Sequence, residues 1–386
     1  MCELLPFISS FIVWGDVLKA WDKLCHLHGE IIAVKPYSLK NVNIKPLFNN
    51  AYFIIQCGAS DYYSLNFITD CFTEPARLEA RRFDQKMSPA EYWKTHHLAI
   101  KTANPDAKLR ELRDILYNLT VEASNFKLTV AVAVYDTFRP KTVFDCCAGW
   151  GDRAIAAMSR SYVKQYEGCE PNIKSQQGIA NAIQVFGNGK EHNVHLTGFE
   201  DFDFEDKYYD MVFTSPPFFD VEVYCNMDTQ SIVRYPTQDV WYEEFLLPMF
   251  LRCWECIKPH GHLVISINNA RDRRSGKLRF YCTERLVHDL TNMCQNATFL
   301  GVVCYGDNEH KRMEPIFIWR KDQDTYPAKH IRRKADVLKP QWERELKRQH
   351  APKELYAQFT GLLVPSTSRE VRDIVRANIF RLKTTS

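Results

Sequence analysis

The sequence predicts an α/β protein built around a mostly parallel sheet of seven strands. Residues 142–320 alternate short β-like runs with helical stretches, which is the pattern of a parallel sheet flanked by helices. The first of these runs passes into a Gly-x-Gly turn and then a helix, and open α/β sheets bind their cofactors at such a turn. The chain of 386 residues, 45% hydrophobic and 25% charged, is long enough to bury this core together with an added module.

Strands and helices are expected to alternate along this region. The predicted strands are Thr142–Cys146, Gln165–Cys169, Val194–Thr197, Tyr209–Phe213, His262–Ile267, Thr298–Cys304 and Pro315–Trp319. Helices with apolar residues at helical spacing are predicted near Asp152–Ser161, Ile173–Phe186, Val240–Ile257 and Thr283–Asn296.

Two further regions flank the predicted core. Residues 1–125 form an N-terminal mixed and helical module with apolar runs at Ile31–Val34 and Ala51–Ile55, and residues 126–325 form the core domain. Residues 326–386 form a basic, helical C-terminal extension. From Lys329 onward this extension has fourteen Lys or Arg residues against six Asp or Glu. Such an excess attracts phosphate through counterion release, although a solvated helical tail explains it equally well.

The composition excludes some classes of protein. No stretch reaches the 18 or more apolar residues that a membrane span needs, so no membrane partner is expected. Residues Met1–Trp14 are apolar, but Glu3 replaces the basic start of a signal peptide, which favours a buried helix. Thirteen cysteines without regular spacing indicate reduced thiols and an intracellular compartment, cytoplasm or nucleus.

The fourth predicted helix ends near a group of potential metal ligands. Cys253 and Cys256, followed by His260 and His262, supply four potential zinc ligands. The two cysteines lie on an apolar helix, however, and no second Cys-x-x-Cys pair completes a closed site. The pattern therefore favours buried thiols, and no metal is expected.

The Gly-x-Gly turn is the first candidate site. The segment Asp145–Arg153 runs from a strand through Gly149 and Gly151 into a helix. Glycines let the backbone approach a ligand closely and adopt torsion angles that a side chain forbids. The missing third glycine disfavours the dinucleotide fingerprint. We expect Asp145, Ala148, Gly149, Gly151 and Arg153 to form a cofactor loop.

The next two strands also end in polar residues. Glu170 and Asn172 follow the second strand, about twenty residues after the loop, where a carboxylate accepts hydrogen bonds from ribose hydroxyls. Glu200, Asp201 and Phe202 follow the third strand. There a carboxylate can accept from an adenine amino group while an aromatic ring lies against the purine. These residues predict a nucleoside-containing cofactor.

The fourth strand leads to the most specific motif, Ser215-Pro216-Pro217-Phe218. An exocyclic amine on a base is a poor nucleophile because its lone pair is delocalised into the ring. The Ser215 hydroxyl and the Pro216 carbonyl can each accept one amino hydrogen and so orient the lone pair. Consecutive prolines hold the backbone, and Phe218 can stack on an extruded or single-stranded base. These four residues are the predicted catalytic group.

Together, Asp145–Arg153 and Ser215–Phe218 resemble the amino-group DNA methyltransferases, particularly those of bacteriophages and large DNA viruses. The resemblance covers residues 126–320 and implies a Rossmann-like class I methyltransferase that uses S-adenosyl-L-methionine. In that family the serine form of the motif is typical of cytosine-N4 enzymes and the aspartate form is commoner in adenine-N6 enzymes. The resemblance also implies that Phe126–Thr129 contact the methionine end of the cofactor. A virus would place the protein in the cytoplasm or nucleus of its host cell.

Several alternatives stay open at this stage. About sixty residues separate the two motifs, which leaves no room for a recognition domain, so the N-terminal module or the basic tail must recognise the target. Related motifs also serve amino groups of RNA bases, so RNA is the alternative substrate to DNA. A catalytically silent nucleic-acid-binding subunit is a third interpretation. Glu222, Tyr224 and the charged residues Arg271–Arg274 could face substrate or serve structural roles.

Overall fold

The computed structural model describes residues 12–34, 52–56, 65–82, 85–204, 208–225, 227–271, 278–280, 282–307 and 312–322. The basic extension from residue 326 and the charged positions 272–274 lie outside the described residues. The chain divides into two compact units. The first unit comprises Met1–Gly29, Cys57–Asp203 and Thr214–Phe245, and the second comprises Glu30–Gln56, Phe204–Phe213 and Leu246–Ser386.

The described secondary structure begins with a helix and ends with a long antiparallel strand pair. The helices are α1 (Trp14–His26), α2 (Phe67–Glu79), α3 (Pro89–Ala103), α4 (Leu109–Leu119), α5 (Leu128–Phe138), α6 (Asp152–Met158), α7 (Ile173–Phe186), α8 (Ser231–Arg234), α9 (Gln238–Val240), α10 (Leu247–Glu255) and α11 (Thr283–Met293). The strands are β1 (Glu30–Val34), β2 (Tyr52–Gln56), β3 (Arg81–Arg82), β4 (Thr142–Asp145), β5 (Gln165–Cys169), β6 (Glu191–His195), β7 (Tyr209–Thr214), β8 (Glu222–Val223), β9 (Ile257–Ser266), β10 (Ala270–Arg271), β11 (Leu278–Phe280), β12 (Ala297–Asp307) and β13 (Arg312–Lys321).

The first unit contains the parallel strands β4, β5 and β6. Thr142 pairs with Gln165 and Asp145 with Gly168, and Gln165 in turn pairs with Glu191. The helices α6 and α7 connect these strands as crossovers, as parallel pairing requires. The carboxyl ends of the three strands therefore meet at one edge, where polar residues from each can form a site.

The second unit contains strands in the order β1-β2-β12-β13-β9-β7. The strand β13 pairs antiparallel with both β12 and β9, while β2 runs parallel to β12. The apolar runs at Ile31–Val34 and Ala51–Ile55, noted in the N-terminal sequence, thus correspond to sheet strands. The domain boundaries at residues 125 and 325 stay predictions.

The α/β, Rossmann-like fold class predicted from the sequence is confirmed. All seven predicted strands are present, as β4, β5, β6, β7, β9, β12 and β13. The predicted start of β6 at Val194 is wrong, because the strand begins at Glu191. Glu191 and Asn193 face solvent, so polar and buried residues alternate along β6 and the strand contains no continuous apolar run.

Two predicted helices also have different limits. The helix predicted to reach Ser161 ends at Met158. The helix predicted from Val240 to Ile257 begins with a π-helical turn over Trp241–Leu246 and continues as α10 to Glu255. Hydrophobic spacing cannot distinguish a π turn from an α turn, because both bury one face.

A buried charge network holds the N-terminal helices of the first unit. Arg77 Nη2 lies 2.7 Å from Asp70 Oδ1, and Arg113 Nε lies 2.5 Å from Glu74 Oε1. The Tyr117 hydroxyl donates to the same Glu74 oxygen over 2.6 Å. Arg77 is 3% exposed, and its acidic neighbours raise its pKa despite burial. Pairing of this kind is required because an uncompensated buried charge costs several kcal/mol.

None of the helices in the described residues is long and apolar enough to cross a membrane.

Candidate functional site

The glycine turn after β4 has the backbone that the sequence predicts. Gly149 and Gly151 have φ angles of 60° and 93°, in the left-handed region that side chains disfavour. A Cβ atom on Gly151 would also lie 2.7 Å from Ile179 Cγ1. Ala148 donates its N–H to the Cys169 carbonyl over 2.9 Å, which ties the turn to the end of β5. The turn therefore presents bare backbone at the strand edge.

Glu170, at the end of β5, is hydrogen-bonded directly to this turn. Its Oε2 accepts the Gly149 N–H over 2.9 Å, and its Oε1 accepts the Asn172 N–H over 2.8 Å. A carboxylate offers about four acceptor positions, so about two are left for a ligand. The side chain is 8% exposed, and burial raises its pKa from 4.5 to about 8 although both backbone bonds oppose that rise.

Asn172 has a different local role. Its Oδ1 accepts the N–H groups of Lys174 and Ser175 over 3.1 and 3.4 Å and so caps α7. The Ser175 hydroxyl in turn donates to the Gly149 carbonyl. The predicted cofactor residue Asn172 therefore fixes the start of α7 against the glycine turn.

Asp145 and Arg153 bind each other. Arg153 Nε donates to Asp145 Oδ2 over 2.7 Å, and its Nη2 donates to the Cys147 carbonyl over 2.6 Å. The Tyr166 hydroxyl adds a bond of 2.9 Å to Asp145 Oδ2. Asp145 is 0% exposed and Arg153 is 3% exposed. This buried pair holds the backbone of the glycine turn at Cys147.

A cleft of about 290 Å³ lies at the ends of β5 and β6. Its lining residues, which all belong to the first unit, are Pro171, Ile173, Leu196, Thr197, Gly198, Asp201, Met227, Thr229 and Arg234. Three large apolar side chains of this lining, Ile173, Leu196 and Met227, are 42%, 51% and 40% exposed. The cleft therefore offers apolar walls with a few polar groups, as sites for flat heterocycles do.

The predicted adenine-binding residues separate into two groups. Asp201 lines the cleft. Glu200 accepts the Tyr235 hydroxyl over 3.2 Å and lies 3.7 Å from Arg234. Phe202 is 9% exposed and stacks on Phe144 with ring centroids 5.0 Å apart. The Phe202 ring thus packs on a residue of β4, and its contact with the purine stays a prediction.

The predicted catalytic loop, which runs from Ser215 to Phe219, begins beside the predicted cofactor loop. The Thr214 hydroxyl, on the last residue of β7, accepts the Cys147 N–H over 3.2 Å. Thr214 is fully buried and Ser215 is half-buried. The Ser215 hydroxyl has no hydrogen-bond partner within the described part of the chain. It is therefore able to accept a bond from a substrate next to the glycine turn.

The two phenylalanines of this loop have opposite environments. Phe219 has a φ of 49°, which is costly for a bulky residue, and its ring packs edge-on against Trp241 at 5.8 Å. Phe219 is 7% exposed, whereas Phe218 is half-buried and has no ring contact among the residues that the structure covers. The strained turn at Phe219 thus inserts one ring into the core and leaves the other available. Strain of this kind is frequent at functional sites.

Glu222 and Val223, which follow the predicted catalytic loop, form the short strand β8 rather than the start of a helix. This strand pairs with β3, placing Arg82 opposite Glu222. Burial raises the pKa of Glu222, which accepts the Ser124 N–H over 3.3 Å. Tyr224 packs edge-on against Trp150 at 5.8 Å. Glu222 and Tyr224 thus connect the catalytic loop to the N-terminal helices.

Asp152 is a buried ionisable residue that the sequence analysis did not select. It begins α6, directly after Gly151, and is 2% exposed. Burial raises its pKa to about 6. Lys127, in the segment expected to contact the methionine end, has a lowered pKa because it is also buried, and the charge of Asp152 opposes that shift. The feature of the sequence that could have identified Asp152 is its position directly after Gly151, at the start of α6.

The cysteines near α10 are buried thiols. Cys253 and Cys256 are 0% and 5% exposed, and burial raises the pKa of Cys256 to about 11. Burial also lowers the pKa of His262 to about 4. Within the described ranges, no group of three or more potential ligands could hold a metal ion.

Comparisons with known proteins found similar solved structures only. No family model and no curated protein matches the chain. TrmN from Thermus thermophilus has 14% identity and a TM-score of 0.35, covering 51% of this chain and 49% of its own. The N-methyltransferase NodS from Bradyrhizobium japonicum has 14% identity and a TM-score of 0.33, covering 51% and 93%. A rRNA methylase from Streptococcus thermophilus has 12% identity and a TM-score of 0.34, covering 52% and 99%.

The chain thus spans about half the length of TrmN. At these identities and TM-scores, the assignment of a function rests on the residues of this chain.

Proposed function

We propose that this protein is an S-adenosyl-L-methionine-dependent methyltransferase that acts on the exocyclic amino group of a nucleic-acid base. The observation that carries the proposal is the bond between the Cys147 N–H and the Thr214 hydroxyl. It joins the glycine turn to the residue before Ser215. A cofactor on the turn and an amine on the loop would therefore be neighbours.

The residues at the strand edge fit the proposed cofactor. The remaining acceptor positions of Glu170 suit two ribose hydroxyls, and the left-handed glycine turn admits a ligand against its backbone. The apolar cleft with Asp201 suits adenine, because the carboxylate can accept from the amino group. Asp145 and Arg153 would hold the turn rather than contact the ligand.

Catalysis would consist mainly of positioning. The Ser215 hydroxyl and the Pro216 carbonyl each accept one amino hydrogen, which directs the nitrogen lone pair towards the methyl carbon. The bound sulfonium supplies an activated methyl group. A nitrogen–carbon bond forms as the carbon–sulfur bond breaks, and one amino proton is released to solvent. Phe218 holds the base by stacking, so no covalent enzyme intermediate is needed.

DNA is the favoured substrate because Asp145–Arg153 and Ser215–Phe218 resemble the amino-group DNA methyltransferases. Cytosine N4 is the favoured position because the motif begins with serine. Adenine N6 is the alternative position, and an amino group in RNA is the alternative substrate. A silent binding subunit is disfavoured because the Ser215 hydroxyl and Phe218 ring are both available. The expectation of a reducing intracellular compartment stays a prediction.

The test is to incubate the protein with methyl-labelled cofactor and with DNA and RNA oligonucleotides of one sequence, followed by mass spectrometry of the nucleosides. We expect label in N4-methylcytosine from DNA, and none with Ser215→Ala. Label in N6-methyladenine or in RNA would reassign the substrate. Cofactor binding without methylation of any amino group would refute the proposal.

A further inference from the structure

One wall of the apolar cleft comes from the segment that follows the catalytic loop. Met227, Thr229 and Arg234 line the cleft. Its other lining residues, Thr197 and Asp201 among them, follow the ends of β5 and β6. A part of the chain close to Ser215 in sequence therefore contributes to the proposed adenine pocket.

This wall is fixed by hydrogen bonds within the first unit. Gln230 is 5% exposed, and its Oε1 accepts the Cys225 N–H over 2.8 Å while its Nε2 donates to the Glu222 carbonyl over 3.4 Å. The Tyr235 hydroxyl donates to Glu200 at the end of β6. The turn that carries Thr229 is thus held at both ends.

Thr229 has an unsatisfied hydroxyl in this turn. Its Oγ1 is buried and has no hydrogen-bond partner among the described residues. Thr197 lines the same cleft, but its hydroxyl donates to the Gly198 carbonyl over 3.1 Å. A buried polar atom without a partner calls for an explanation, such as a water molecule, an ion or a ligand, and Thr229 is the residue with such an atom in the described lining of this cleft.

We infer that Thr229 is a specificity-determining residue that donates a hydrogen bond to a purine ring nitrogen of the cofactor. Asp201 can only accept, so it suits the exocyclic amine, and the ring nitrogens beside that amine, N1 and N7, are acceptors that require a donor. A rotation about χ1 exchanges the methyl and hydroxyl groups of Thr229 and directs the proton into the cleft. This inference rests on the proposed function, because it requires adenine in the cleft.

The test compares three variants by titration calorimetry with S-adenosylhomocysteine. Thr229→Val should bind about three- to tenfold more weakly, the effect of one hydrogen bond between neutral groups. Thr229→Ser, which keeps the hydroxyl, should bind as the wild type does, and so should the control Thr102→Val, at an exposed position of α3 outside the cleft. Unligated Thr229→Val should melt at a higher temperature, because it no longer buries an unsatisfied hydroxyl.

Two ligand analogues, in which carbon replaces N1 or N7, identify the acceptor. The affinity of the wild type should fall by the same three- to tenfold factor with one of the two analogues. Thr229→Val should bind that analogue and the parent ligand with equal affinity. The inference would be overturned if wild type and Thr229→Val bound S-adenosylhomocysteine with equal affinity. It would also be overturned if Thr229→Val lost as much affinity with one analogue as with the other. No binding by the wild type would instead refute the proposed function.

Discussion

The affinity for the cofactor is expected to depend on pH through the ionisation of Glu170. Burial raises its pKa to about 8, so the side chain is mostly protonated at neutral pH. Ribose hydroxyls must donate to the carboxylate, so only the ionised form is competent to bind. The apparent affinity falls in proportion to the competent fraction, and that fraction is about 3% at pH 6.5 and about 75% at pH 8.5. Affinity should therefore rise about 25-fold over this range.

The assay is titration calorimetry at several pH values between 6.5 and 8.5. The ligand should be 5′-methylthioadenosine, which keeps the ribose and adenine but lacks the α-amino group, a group that titrates in the same range. Glu170→Gln is the matched variant, because it keeps the shape and removes the charge. We expect a flat pH profile for Glu170→Gln and weaker binding than the wild type at pH 8.5.

The free energy of unfolding gives an independent measurement. The pKa of Glu170 is higher in the folded state than its ordinary value of 4.5. The unfolded chain therefore releases this proton at lower pH, and the contribution of Glu170 to stability falls as the pH rises from 4.5 to about 8. Glu170→Gln should remove that part of the slope. A wild-type affinity that is independent of pH would refute the ribose-binding role, whatever the stability profile.

Four further changes have expected outcomes. Ser215→Ala should lower the single-turnover rate of methyl transfer far more than the affinity for DNA or cofactor, and an unchanged rate would remove Ser215 from the mechanism. Phe218→Ala should weaken base capture by about 1–3 kcal/mol in a binding assay, with Phe218→Tyr close to wild type. Asp145→Ala should lower the free energy of unfolding in urea by about 3–5 kcal/mol, because Arg153 would be left as an uncompensated buried charge. Deleting the chain from Lys329 should flatten the salt dependence of DNA binding, and an unaltered slope would make the tail a structural extension.

The strands and the two loops could be predicted because their signals are local. Apolar runs bounded by turns identify seven strands, and a strand that leads into Gly149 or Pro216 places that residue beyond its carboxyl end. Each of these inferences needs only neighbouring residues. The start of β6 was predicted wrongly because this polar strand lacks an apolar run. The π-helical turn before α10 was not predicted because it keeps the apolar face of a helix.

By itself, the sequence determined the fold class, the glycine turn, the acidic strand ends and the rigid serine-proline loop. Only the tertiary structure showed which of those side chains are already engaged within the protein and which line a cleft. Asp145 is hydrogen-bonded to Arg153, and Phe202 is buried in the core. Asp201 and Thr229 line the same cleft although they are 28 positions apart in the chain. The physical reason is that partners distant in the chain compete for each polar atom and each ring face, and that competition is settled by packing.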